Sequence, residues 1–143
     1  MGTINTYFSA PDDAMAAAVV DDGPVSFAPV VDAVEATVQG GTLFALLTEQ
    51  TYEKATADRS WARLITEPDH ESAWVVSLPA EFTDALADAS DEHLASIVGP
   101  WSQSEEFWGG ADPAELLDML REWRTLARTA RERGENMYCW MSL

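Results

Sequence analysis

The stretch DPAELLDMLREWRTLARTARERG, residues 112–134, decides the fold, because it encodes one long amphipathic helix with both ends marked. Asp112 supplies an N-cap acceptor, Pro113 stands at the first helical position, where a missing N–H is harmless, and Glu115 places an acid in the first turn. Gly134 is the natural terminator. The spacing therefore predicts a helix over 113–133. At about 100° per residue, Leu116, Met119, Leu120, Trp123, Leu126, Ala127 and Ala130 share one arc about 120° wide, which is the core face. Arg121, Arg124, Arg128 and Arg131 fall on a neighbouring arc about 80° wide, along one border of the buried stripe. Glu115, Asp118 and Glu122 flank the other border. Two readings of the arginine stripe follow. It pairs with acids of the body while its stems cover apolar surface, or it holds a phosphate or carboxylate ligand. No glycine-rich phosphate loop precedes the helix, so the structural reading is taken.

The rest of the chain is anionic. Residues 1–53 carry eight carboxylates and residues 64–120 carry thirteen, with no Lys or Arg in either span. The remaining cations are Lys54, Arg59, Arg63 and Arg133. The net charge of -17 repels nucleic-acid backbones and anionic membrane surfaces, and it attracts basic partners. A GC-rich genome or a salt-adapted proteome gives the same composition without functional meaning. With 47% apolar residues and six tryptophans in 143 residues, the chain has material for one core, so a single domain over 1–143 is expected. No signal-peptide pattern or membrane span is visible, which makes a cytoplasmic protein the default. Met1-Gly2 and Thr6 fit an N-myristoylation pattern, but no basic residues follow to support attachment.

Working outward, residues 4–9 read as a strand and residues 11–20 as a helix opened by Pro11, Asp12 and Asp13. Phe27, Val30, Val31, Val34 and Val38 recur at helical spacing, with Gly40-Gly41 as the stop. Residues 42–47 fit a buried strand or a buried helix equally well. Residues 52–65 read as partly helical, with Trp61, Leu64 and Ile65 inward. Residues 73–78 are the clearest internal strand. Pro79 opens a helix with Phe82, Leu86 and Ala89 on its apolar side. Ser90 caps another, which Gly99-Pro100 should stop. Residues 101–110 form an aromatic and acidic loop or short helix, and residues 137–142 a last strand. The expected fold is α+β: a small mixed sheet holding both terminal strands, covered by helices including 113–133.

Chemistry is sparse. No dinucleotide, phosphate-loop, zinc-protease or nucleophile-elbow motif occurs, and no cofactor is expected. Cys139 alone makes no disulfide or metal motif, and its apolar neighbours predict a buried, inert thiol. Asp69, His70 and Glu71 could offer ligands to a divalent ion, but consecutive loop residues rarely converge on one, and a solvated turn is the plainer reading. His93, beside Asp91 and Glu92, reads as a surface imidazole. Trp101, Glu105, Glu106 and Trp108 bring acids and aromatics together in one segment, which makes them the candidate partner-binding residues.

The opening Met1-Gly2 with Tyr7-Phe8, the Pro79-Ala80-Glu81 and Ser90-Asp91-Glu92 helix starts, and the close from Leu120-Arg121-Glu122-Trp123 through Gly134 to the strand at 137–143 together resemble the YfbM-like family of uncharacterised bacterial proteins. The resemblance covers the two ends and the middle helices and is loose between residues 40 and 72. It implies an α+β domain with terminal strands in a shared sheet and the long helix packed on it. It brings no activity and transfers no residue role.

The functional expectation is a non-enzymatic interaction module, an inhibitor or immunity-type protein that binds a basic protein partner. Two alternatives stand beside it. One is a small enzyme or ligand-binding domain using a cleft near His70, His93 or Glu105-Glu106. The other is a nucleic-acid mimic, which needs acids in two rows on one elongated face.

Overall fold

The computed structural model describes residues 4–57, 61–107 and 111–143. In chain order the elements are β1 (Ile4–Ala10), α1 (Asp13–Ala17), β2 (Val31–Asp32), α2 (Gly41–Leu47), α3 (Tyr52–Thr56), β3 (Arg63–Leu64), β4 (Ala73–Ser77), α4 (Ala80–Asp88), α5 (Asp91–Ser102), α6 (Pro113–Arg133) and β5 (Asn136–Ser142). Short 3-10 turns lie at Val25–Phe27 and Glu105–Phe107, and a π turn at Ala36–Gly40. The strands form one sheet in the order β2-β1-β5-β4-β3, with every pair antiparallel. The terminal strands β1 and β5 pair along their whole length, from Ile4 opposite Ser142 to Ala10 opposite Asn136. Among the described residues no helix is long and apolar enough to cross a membrane.

Side chains alternate across a strand, so the sheet divides its residues between two faces. Tyr7, Val76, Met137 and Cys139 enter the main core with α2, α4, α5 and α6. Phe8, Ala10, Val75 and Tyr138 enter a smaller cluster on the other face, under Ala16 and Val19. The long helix forms as its sequence predicts. The Asp112 carboxylate accepts from the Ala114 amide at 3.0 Å, and Gly134 closes the helix in the left-handed conformation with φ 66°. Leu116, Leu120, Trp123, Leu126, Ala127 and Ala130 are buried, and Met119 packs at the margin. Trp123 lies 4.1 Å from Tyr7 and 5.3 Å from Phe82 between ring centroids, joining α6 to β1 and α4.

The arginine border meets the end of α4. The last carbonyls of a helix have no intrahelical donor, and guanidinium groups can satisfy them. Arg128 Nε donates to the Ala87 carbonyl at 2.9 Å, and Arg124 Nη1 to the Ala89 carbonyl at 3.1 Å. Arg124 also pairs with Asp91 at 2.7 Å, Arg131 with Asp88 at 2.6 Å, and Arg121 reaches Asp91 and Asp118 at 3.8 and 3.7 Å. Arg124 holds the Asp91 carboxyl below the usual range. The stripe is a clamp on the α4–α5 junction.

Several sequence expectations need correction. Val30, Val31 and Val34 do not form a helix, and Val38 alone falls in a helical turn. Pro29 offers no N–H to a helix begun before it, β-branched Val31 enters the edge strand β2, and residues 36–40 form the π turn. Gly40 and Gly41 do not stop a helix; α2 starts there. Their hydrogens allow close approach, since a Cβ would stand 2.9 Å from the Trp61 ring at Gly40 and 2.9 Å from the Tyr52 ring at Gly41. Trp61 is fixed by stacking on Phe44 at 5.1 Å and by donating Nε1–H to the Ala36 carbonyl at 2.9 Å. Leu64 is exposed on edge strand β3 rather than inward. The helix opened by Pro11 is shorter than expected, ending at Ala17. Gly99-Pro100 does not end α5, which continues to Ser102 because Trp101 is locked in the core beyond it.

Replacing Trp123 with Ala is expected to cost about 3–5 kcal/mol, because it opens a cavity where α4, α6 and β1 meet; an unchanged urea midpoint would contradict that packing. Replacing Arg124, whose side chain is 13% exposed, with Ala is expected to cost about 2 kcal/mol, and Lys is not expected to restore it, since one ammonium cannot reproduce the two-pronged contact. Chemical denaturation of both variants measures this.

Candidate functional site

The two sheet faces are unequally covered. Five-residue α1 and residues 18–30 are the main cover of the second face, so clefts open beside them. Cross-strand register lines up the residues that line these clefts, because directly opposed residues share a face. One row runs Phe8, Tyr138, Ser77, Arg63 across β1, β5, β4 and β3. The next row runs Asp32, Thr6, Trp140, Val75 across β2, β1, β5 and β4.

The first row borders a polar cleft of about 210 Å³ with Asp13, Arg63, Ser77, Asn136 and Tyr138 in its wall. Asp13, in the first turn of α1, is its centre. Arg63 Nη2 donates to Asp13 Oδ2 at 2.8 Å, and Tyr138 Oη donates to Asp13 Oδ1 at 2.8 Å. The Arg63 bond, then that of Tyr138, hold the Asp13 carboxyl below its ordinary value. Burial and the Asp13 hydrogen bond push the Tyr138 phenol up to about 12. The carboxylate stays ionised and the phenol stays protonated at neutral pH. Both shifts lead away from the neutral range in which a proton-transfer group is useful.

The second row borders a cleft of about 240 Å³ with mostly apolar walls. The half-buried Trp140 indole lines it, anchored by donating Nε1–H to the Val20 carbonyl at 2.9 Å. The turn that closes over the indole needs a glycine. Gly23 has φ 84°, and a Cβ there would meet Trp140 Cη2 at 3.4 Å. Pro24, Val25 and Val30 complete the apolar wall, with Val25 80% exposed. Two carboxylates, Asp22 and Asp32, stand at the margin, and Thr6 donates its hydroxyl to Asp32 Oδ1 at 2.6 Å. A shallower apolar trough with Ala17, Val20, Leu64 and Ile65 in its lining lies between α1 and β3.

The residues singled out from sequence lie elsewhere. Trp101 is 0% exposed; it donates Nε1–H to the Gln39 carbonyl at 3.1 Å and meets Phe107 edge-on at 5.3 Å. It is a core anchor and offers no ring to a partner. Glu106 is half-buried and clasps α2, accepting from Thr42 Oγ1 at 2.8 Å, while its backbone carbonyl accepts from Gln39. Burial pushes Glu106 up, but hydrogen bonds from its own backbone amide, Thr42 and Ser104 outweigh it and hold the carboxyl below its ordinary value. Glu105 is exposed, and Trp108 lies outside the described residues.

His70 is a loop clip. Its Nδ1 accepts from the Ser72 and Ala73 amides at 3.1 Å each, so Nε2 carries the proton and donates to Asp21 at 2.9 Å. Asp69 and Glu71 are exposed beside it, and no group of three His, Cys, Asp or Glu side chains among the described residues could hold a metal ion. His93 is half-buried, with Nε2 3.4 Å from the Leu47 carbonyl. Cys139 is fully buried, and burial raises its thiol well above the ordinary value. Sequence reading missed Asp13, Arg63, Tyr138 and Trp140 as site-lining residues. The available signal was the two-residue spacing of Tyr138 and Trp140 on one strand face. In comparisons with protein-family models, curated proteins and solved structures, none matches this chain.

Two pH limbs follow. Asp13 has a depressed folded value, so its contribution is complete above its ordinary value of 3.8 and is lost as pH falls through the folded one. Tyr138 has a raised folded value, so between about 10 and about 12 the folded protein holds a proton that the unfolded chain has lost, and stability falls as pH rises. Urea unfolding across pH is expected to show Asp13→Asn converging on the wild type in acid and Tyr138→Phe flattening the alkaline limb. Absorbance at the tyrosinate band checks the second value directly.

Proposed function

We propose that the protein is a non-enzymatic interaction module, an inhibitor or immunity-type protein that binds a basic partner through the second face of its sheet. The carrying observation is the mismatch between its charges. Among the described residues, the Arg and Lys ion pairs involve only Asp13, Asp88, Asp91 and Asp118. The other described carboxylates have no Lys or Arg partner, against a net charge of -17. On the second face these acids border apolar ground. Asp22 and Asp32 flank the Trp140 cleft, and Glu67 borders the trough beside Leu64. Apolar centre with charged rim is the usual anatomy of a protein interface.

The alternatives draw less support. The polar cleft at Asp13 and Tyr138 contains no group poised for proton transfer near neutral pH, which gives the enzyme reading nothing to start from. Exposed acids are spread over several elements, α4, α5 and α6 as well as the loops of the second face, and no single element gathers them as the nucleic-acid-mimic reading requires. The likeness to the YfbM-like family belongs to the same proposal and adds no activity.

Affinity capture from the native host at low salt is expected to retain a basic protein that leaves as salt rises, because exposed charges more than about 10 Å apart are screened at 0.1 M ionic strength. Calorimetry with the identified partner should show affinity falling with ionic strength. Retention of no basic protein under any ionic condition would overturn the reading.

A further inference from the structure

We infer that the Trp140 cleft is the seat of one arginine side chain presented by the basic partner. The inference rests on the reading above and names the chemistry that would be recognised. Three properties of the cleft lead to it. Its volume, about 240 Å³, lies below the roughly 300–1,000 Å³ of sites that enclose a small-molecule ligand, and it suits a single long side chain. Its apolar lining, from Pro24, Val25 and Trp140, matches the hydrocarbon stem of such a side chain. Its charged groups, Asp22 and Asp32, have no Lys or Arg partner within the chain among the described residues. Both carboxylates are exposed, and a cationic occupant brings them a counter-charge that a neutral or anionic one does not.

A guanidinium fits this lining better than an ammonium. It is planar and weakly hydrated, it stacks on an indole ring, and it pairs two-pronged with a carboxylate. The sheet register puts the needed groups in line: Asp32 on β2, Thr6 on β1 and Trp140 on β5 are consecutive cross-strand neighbours. Thr6 Oγ1 donates to Asp32 Oδ1, which fixes the carboxylate and leaves Oδ2 without a partner among the described residues. Trp140 is held by the Val20 carbonyl and the Gly23 turn, so the indole is in place before anything binds. A preset lining lowers the ordering cost of binding.

The test titrates the full-length ¹⁵N-labelled protein with an end-blocked Gly-Arg-Gly peptide and with its citrulline counterpart, which keeps the shape and loses the charge. Saturable shifts of the Trp140 indole N–H and of the Gly23 and Thr6 amides are expected with arginine, and binding about tenfold weaker or absent with citrulline. Asp32→Asn should weaken arginine binding about tenfold, while Glu115→Gln, an exposed acid on α6, should leave it unchanged. Asn at 32 keeps an acceptor for the Thr6 hydroxyl, and Asp22→Asn gives a second variant should the first unfold. Shifts spread over all exposed acids, equal responses to both peptides, or equal effects of Asp32→Asn and Glu115→Gln would overturn the arginine seat while leaving a salt-sensitive basic partner intact. Failure to capture any basic partner would remove the broader reading instead.

Discussion

Burial of Trp123 against Tyr7 and Phe82 is the contact on which the rest of the arrangement depends. The indole sits in the middle of α6 and touches the sheet through β1 and the helical layer through α4. With that face turned inward, helical geometry leaves no choice for the arginines one border away. They must run along the seam with α4 and α5, where they meet the buried carbonyls of Ala87 and Ala89 at the end of α4. Aromatic contacts then continue outward from Phe82 to Phe44 and Trp61, which fixes α2 and the residues before β3. One side of the sheet is closed by this assembly.

That closure shapes the electrostatics. Four guanidinium groups of α6 are engaged with backbone carbonyls or with Asp88, Asp91 and Asp118, and Arg63 is engaged with Asp13 on the far side. These groups therefore act as internal fasteners. The anionic character of the remaining surface results from where they are held as well as from their small number. A stripe free in solution would have created a positive edge on this acidic protein. Pairing of Arg121, Arg124 and Arg131 with Asp88, Asp91 and Asp118 offsets that edge along the seam, while Arg128 is held by a backbone carbonyl.

Much of the frame is legible in the sequence where several local signals agree. The N-cap, the proline at the helix start, the apolar period and the closing glycine all locate α6. β4 and β5 are readable from β-branched and aromatic runs between turn residues. The errors arise where a local signal has two physical meanings. Valines at three- and four-residue steps fit a helix by spacing but prefer extended backbone, and Pro29 lies among them. Gly40 and Gly41 look like a terminator, yet their role is to admit Trp61 and Tyr52, which only the tertiary structure supplies. Pro100 looks like a stop, yet the buried indole of Trp101 keeps its turn helical. The same indole resembles an interaction residue in sequence, because burial of one tryptophan in a polar segment leaves no local mark. The second-face clefts were illegible for a different reason. Asp32, Thr6 and Trp140 are dispersed in the chain and become neighbours only through strand order.

Asp32 also has a purely structural explanation, and comparison of the two sheet edges shows how far it reaches. Both edge strands are two residues long, and each carries a charge, Asp32 on β2 and Arg63 on β3. Short, charged edges resist pairing with another sheet, so either residue could stand where it does for that reason alone. The surroundings separate them. Arg63 has its counter-charge in Asp13 at 2.8 Å, which makes the β3 edge self-contained. Among the described residues Asp32 receives only a hydroxyl, from Thr6, and the next residue across the sheet is a half-buried indole. Edge protection requires the charge; it does not require an aromatic surface beside it or a glycine turn built around that surface. The β3 row also reaches an aromatic ring, Tyr138 beyond Ser77, so what distinguishes β2 from β3 is the glycine turn against the indole and the lack of a Lys or Arg partner for Asp32 among the described residues.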